Sequence, residues 1–164
     1  VEVRFAALVH DLGKGTTRPS DLPSHAGHEQ RGNALIRKLA ERLPVPRACR
    51  DLGLIVAEFH THCHRALELK DTTIVQVLEK TDAFRRPERF EKFLLACEAD
   101  ARGRTGFENR RYAQAVHLRA AFAAASAVDA GGIASSNEES QIPDAIRRAR
   151  VQAVGQARKA LKVN

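Results

Sequence analysis

The seven histidines of this 164-residue chain are unevenly spread, and six of them fall before residue 65. His10 and Asp11 are adjacent in LVHDLGKGTT (residues 8–17), where an apolar helical run ends. His28 follows in HAGHEQRG, and His60, His62 and His64 alternate in EFHTHCHR. Imidazole nitrogens and carboxylate oxygens are the usual ligands of divalent cations, so clustering of both types points toward a metal site. His60 and His64 are four apart and share a helix face, while His62 points elsewhere. On a regular helix His10 and Asp11 diverge by about 100°. One ion would then have to sit between them on the exposed arc; a partly exposed polar pair at a helix end fits the same two residues. The dipeptide spacing of His62 and His64 occurs in some zinc hydrolases at a strand end, whereas here it lies in a helical pattern. Asp82 shares a stripe with Ile74, Leu78 and Thr81. A carboxylate on an apolar face requires a cation, a metal or several hydrogen bonds. A salt bridge to Arg85 is the simpler alternative. His25 and His117 read as surface or boundary residues.

The elements that would carry these side chains are helical throughout. Phe5, Leu8, Val9 and Leu12 follow helical spacing and predict a first helix over 2–12, with Gly13 as its left-handed stop. Gly15, Pro19, Pro23 and Gly27 mark a loop. Further helices are expected over 28–43, 47–66, 71–86 (Asp71 as N-cap), from Pro87 through Phe90, Phe93, Leu94 and Cys97, then 110–128 and 143–162. DAGGIASSNEES (129–140) reads as a loop. No strand-like alternation and no repeat is found, so the expected class is all-α. The chain opens inside a periodic helix with no start signal and reads as a piece of something longer.

Composition is that of an ordinary globular chain, 43% hydrophobic and 29% charged. No apolar run approaches the roughly 20 residues of a membrane span, and no leader pattern is present. Three widely spaced cysteines, Cys49, Cys63 and Cys97, argue against a disulfide framework and for reduced thiols in a cytoplasmic protein. The net charge of +7 suggests a polyanionic partner. Residues 101–119 hold five arginines and one acidic residue, and residues 141–164 hold six Lys or Arg and one Asp. Arg102, Arg104, Arg110 and Arg111 are candidate phosphate contacts; such contacts bind without reading bases and weaken with salt. A solvated basic face is the alternative, and Arg102 and Arg104 could instead bond Asp100 or helix ends. Tyr112 reads as core.

Taken together, His10–Asp11 with Gly13 and Lys14, then His28, His60 and Asp82, resemble the HD phosphohydrolase superfamily. RFAALVHDLGKG, HAGHEQRG, DLGLIVAEFHTHCHR and ACEADARGRTGFENRRY further resemble the C-terminal, HD-bearing region of bacterial CCA-adding tRNA nucleotidyltransferases. The resemblance covers nearly the whole chain, most strongly residues 4–112. It implies an HD helical core over 1–100 and a basic helical extension over 101–164. It implies a divalent metal (nickel, manganese, cobalt or magnesium) held by His10, Asp11 and Asp82, with His28 and His60 completing a second position or bonding phosphate. Asp11 and Lys14 take catalytic roles in this reading, Lys14 neutralising charge on the phosphoryl oxygens. The implied activities are 2′,3′-cyclic phosphodiesterase, 2′-nucleotidase and phosphatase, on 2′-phosphorylated and 2′,3′-cyclic nucleotides, with tRNA as partner and no membrane. The family's early histidine is expected on a helix upstream of Val1, and its nucleotidyl-transfer head has no counterpart here. The alternative is a tRNA-body-binding helical module whose metal site does not function.

Overall fold

The computed structural model describes residues 1–163, with side chains through residue 160. All regular structure in it is helical, as the composition and periodicity imply. The elements are α1 (Glu2–Val9), α2 (His28–Arg42), α3 (Arg47–His64), α4 (Asp71–Lys80), α5 (Pro87–Arg102), α6 (Ala113–Ser126), α7 (Ala130–Ser135) and α8 (Ile142–Val163). Short 3₁₀ turns occupy Leu12–Thr16, Pro19–Asp21 and Glu139–Gln141. The segment expected as a loop at 129–140 contains α7, capped by the Asp129 carboxylate, which accepts from the Gly132 N–H. A six-residue helix with two glycines carries no periodic signal to read.

The described chain divides into two compact units. One combines Val1–His64 with Glu88–Tyr112; the other combines Arg65–Pro87 with the chain from Ala113 onward. Helix α5 runs past residue 100 to Arg102, and Tyr112 is buried against Cys63 and His64 of α3.

In the first unit α1 and α2 both lie on α3. Val9, Ile36 and Ala57 form a buried cluster with Phe5, Leu39 and Leu54 against it. Leu52 and Val56 are also fully buried, each contributing about 1.5–3 kcal/mol. The apolar pattern placed Leu8 and Leu12 inside as well, but they are 79% and 37% exposed. The reason is that α1 stops at Val9 rather than at residue 12. Only its Phe5–Ala6–Val9 face meets α3, Leu8 lies on the flank, and Leu12 has entered the 3₁₀ turn.

In the second unit α8 lies against α4 and α6. Arg158 donates to the Leu69 carbonyl at 2.8 Å and pairs with Asp71. Asp71 sits in the first turn of α4, and the N-cap is Lys70, not Asp71. The Arg150 guanidinium lies 3.7 Å from the centre of the Phe84 ring, and Arg147 is 3.7 Å from Glu79. Three basic residues of the last helix are thus engaged inside the unit, which reduces the charge that segment offers a polyanion. No helix among the described residues is long and apolar enough to cross a membrane. Cys49, Cys63 and Cys97 are buried and free.

One close approach fixes how the 3₁₀ turn Leu12–Thr16, which follows α1, meets α2. A Cβ on Gly13 would lie 1.9 Å from the His28 carbonyl oxygen and 2.7 Å from the Gly32 nitrogen. Gly13 is required for this backbone contact and not, as its place after the helix suggested, for a left-handed stop: its φ is not positive. We expect Gly13→Ala to lower stability by at least about 2 kcal/mol, the range of core overpacking, measured by chemical denaturation. Gly15→Ala, with nothing within 4 Å of the added carbon, should stay within about 0.5 kcal/mol of the parent. Equal effects of the two substitutions would contradict the close-approach argument.

Candidate metal centre

The end of α1 places His10 and Asp11 on one side of the chain. His10 keeps helical backbone angles, with its N–H on the Ala6 carbonyl. Asp11 leaves the helix at φ −102°, ψ 10°, the bridge region that opens a turn. The break removes the 100° divergence of a continuous helix. The His10 Nε2 then lies 3.2 Å from an Asp11 carboxylate oxygen.

Two further imidazoles converge on the same carboxylate. His28, in the first turn of α2, and His60, in the last turns of α3, place Nε2 at 3.4 and 3.5 Å from Asp11 Oδ1. These two nitrogens are 3.4 Å apart. All three residues are at least 92% buried. Each has its Nδ1 on main-chain carbonyls: His10 on Ala7, His28 on His25, and His60 on Val56 and Ala57. A carbonyl only accepts, so Nδ1 carries a proton, and each ring in its neutral form presents a lone pair at Nε2.

A cation bound at about 2.1 Å keeps its ligand atoms roughly 3.0–3.4 Å apart. The separations around Asp11 match that spacing. His10 Nε2 and Asp11 Oδ1 are buried with no hydrogen-bond partner, a costly state that an ion would relieve. Ligand atoms of His10, Asp11 and His60 lie within 4.8 Å of one another. The donor set therefore fits a divalent cation.

The carboxylate facing His10 from the other side is Asp100, on α5, at 3.4 Å. Asp82 follows α4 in a left-handed conformation (φ 59°) in the second unit. Its carboxylate is met by Arg85 at 2.5 Å and Arg86 at 3.5 Å, the salt-bridge alternative. Asp100 was legible by the criterion applied to Asp82: it is three residues beyond Cys97 on the buried Phe90–Phe93–Leu94–Cys97 face of α5.

Other candidates fall into place around the cluster. Lys14 Nζ is bonded to Asp11 Oδ2 at 2.6 Å. His64 donates Nε2 to Asp100 at 2.7 Å, and its Nδ1 is 2.9 Å from the Tyr112 hydroxyl. His62 lies against the Phe59 ring instead. His25 is half-buried and bonded to Thr17. Arg102 donates to the Arg110 carbonyl and pairs with Glu98, closing the end of α5. Arg104, Arg110 and Arg111 are exposed, with Arg110 over the Phe107 ring.

The charges are strongly linked. Burial opposes a charged His10, but Asp100, Asp11 and the Ala7 carbonyl outweigh it and push the imidazole up to about 10. His10, which faces it, and His64, which bonds it, hold Asp100 well below the usual carboxylate range. Burial would raise Asp11, yet His10 and Lys14 hold it low as well. Burial and the charge on His10 push His60 down. A raised imidazole stabilises the fold fully below its unfolded value of 6.5 and loses that contribution as pH rises toward about 10. In chelator, the melting temperature should therefore fall across that interval. Metal binding must displace the His10 proton, so calorimetric heats at about pH 8 should vary with the buffer's ionisation enthalpy. Buffer-independent heats would contradict it.

The HD domain family matches residues 1–87. The chain is 53% identical over 157 residues to the multifunctional CCA protein of Burkholderia cenocepacia (strain HI2424), covering 94% of this chain and 38% of that protein. It is 55% identical to the proteins of the same name from Thioalkalivibrio sulfidiphilus and Paraburkholderia phymatum, with the same coverage. The chain thus spans 38% of the length of these curated relatives. No solved structure matches it. A buried imidazole–carboxylate cluster begun by adjacent His10 and Asp11, on helices that fall within the matched residues, agrees with that match: the chain belongs to the HD domain family.

Proposed function

We propose that the chain is the metal-dependent phosphohydrolase region of a CCA-adding tRNA nucleotidyltransferase, acting on 2′,3′-cyclic and 2′-phosphorylated nucleotides. The observation that carries it is the convergence of three buried imidazoles on Asp11, with two polar atoms lacking partners. His10, Asp11 and Asp100 hold the ion in this reading, with His28 and His60 completing its shell or meeting the substrate phosphate. When bound, a divalent ion (nickel, manganese, cobalt or magnesium) activates water and polarises the phosphoryl oxygen. Lys14 holds the Asp11 carboxylate in place, and its half-exposed ammonium adds positive charge where a phosphate would enter. His60, kept neutral by burial, offers its Nε2 lone pair at neutral pH.

Exposed Arg104, Arg110 and Arg111 support contact of the same chain with the tRNA backbone. Arg102 supports it only indirectly, since its guanidinium closes the end of α5.

Hydrolysis of a 2′,3′-cyclic nucleotide and of a 2′-nucleotide, assayed with each metal, tests the reading. His10→Ala, Asp11→Asn and Asp100→Asn should each lower the rate more than about a hundredfold, beyond the loss of an outer-shell partner. Asp82→Asn should stay within about threefold, since Asn tolerates a left-handed backbone. Loss of activity in Asp82→Asn with retention in Asp100→Asn would reverse the ligand assignment; no metal-stimulated hydrolysis by the parent chain would reject the enzyme reading. Replacing Arg104, Arg110 and Arg111 by Ala should weaken tRNA binding and reduce the salt slope by roughly one per lost phosphate contact. An unchanged slope would exclude these side chains from the interface.

A further inference from the structure

Outside the cluster, a chain of partly buried polar groups ends on Asp100. The Tyr112 hydroxyl is 2.9 Å from His64 Nδ1, and His64 Nε2 is 2.7 Å from Asp100 Oδ2. The other oxygen, Asp100 Oδ1, faces His10. A carboxylate accepts and does not donate, so His64 Nε2 carries the proton; Nδ1 of the neutral ring then accepts, and the Tyr112 O–H donates to it. The phenol is itself fixed: Tyr112 is 92% buried, and its oxygen lies 3.4 Å from the Cys63 sulfur. Both ring nitrogens of His64 are occupied, which makes it a support and not a ligand. Its ring lies 5.9 Å, edge on, from that of His60 one turn earlier on α3.

We propose that Tyr112 and His64 are positioning residues that hold one oxygen of Asp100 so that the other is presented to the ion. The inference rests on the metal reading above and adds to it an orienting relay from the residue that follows the arginine-rich segment. Ligand-orienting partners of this kind typically contribute 10–100-fold in metal affinity.

The test is titration of the whole chain with Co²⁺, read by calorimetry and by the visible absorption of the bound ion, with a melting curve for each variant. His64→Leu should bind Co²⁺ about 10–100-fold more weakly and with a changed spectrum. His64→Gln, whose amide can donate to Asp100, should recover part of that loss, and Tyr112→Phe should fall between the parent and His64→Leu. Should His64→Leu fail to melt cooperatively, Tyr112→Phe decides alone, since it removes a single oxygen. Parent-like affinity and spectrum in folded Tyr112→Phe and His64→Leu, with binding lost in His10→Ala, would overturn the relay and leave the metal site standing. Equal binding by the parent and His10→Ala would overturn both.

Discussion

The site depends on main-chain carbonyls accepting from Nδ1 of three buried histidines. A buried neutral imidazole has one donor and one acceptor, and whichever nitrogen finds a carbonyl takes the proton. At His10, His28 and His60 that nitrogen is Nδ1. The three Nε2 lone pairs are then left pointing at one carboxylate, Asp11. Four acceptors without enough protons repel each other, and the low dielectric around them magnifies the cost. A divalent cation resolves that conflict; a proton on His10 resolves part of it.

The helices exist, in this sense, to hold that conflict in place. The apolar faces of α1 and α2 on α3 supply the stability, and the Gly13 backbone contact sets the distance between the first two ligating segments. His64 binds the far oxygen of Asp100 and leaves the other toward His10, while Lys14 binds Asp11 Oδ2, the oxygen nearest His10, and leaves Oδ1 to His28 and His60. The fold supplies rigidity, and the chemistry is concentrated in a few side chains at helix ends.

Much of this was readable before any coordinates. The helical class, the extents of α2 and α3 and the meeting of His10, Asp11, His28 and His60 follow from periodicity and from the family resemblance. Two kinds of error remained, and both arise where a helix stops. Extending α1 to residue 12 set His10 and Asp11 apart and buried Leu8, whereas the break after Val9 brings the pair together. Extending α4 through residue 82 placed Asp82 on an apolar stripe, whereas the helix ends at Lys80 and the next residues turn it toward Arg85 and Arg86. Helix α5 runs to Arg102, and its apolar face carries Asp100 to His10. The pairing of Tyr112 with His64 joins positions 48 apart in sequence, and no local pattern signals it.

Anomalous diffraction from crystals of the chain grown with Mn²⁺ would test the central claim most directly. The account predicts a peak bounded by Nε2 of His10 and the facing oxygens of Asp11 and Asp100, close to His28 and His60. A peak coordinated by Asp82, or none near His10 at saturating Mn²⁺, would contradict it.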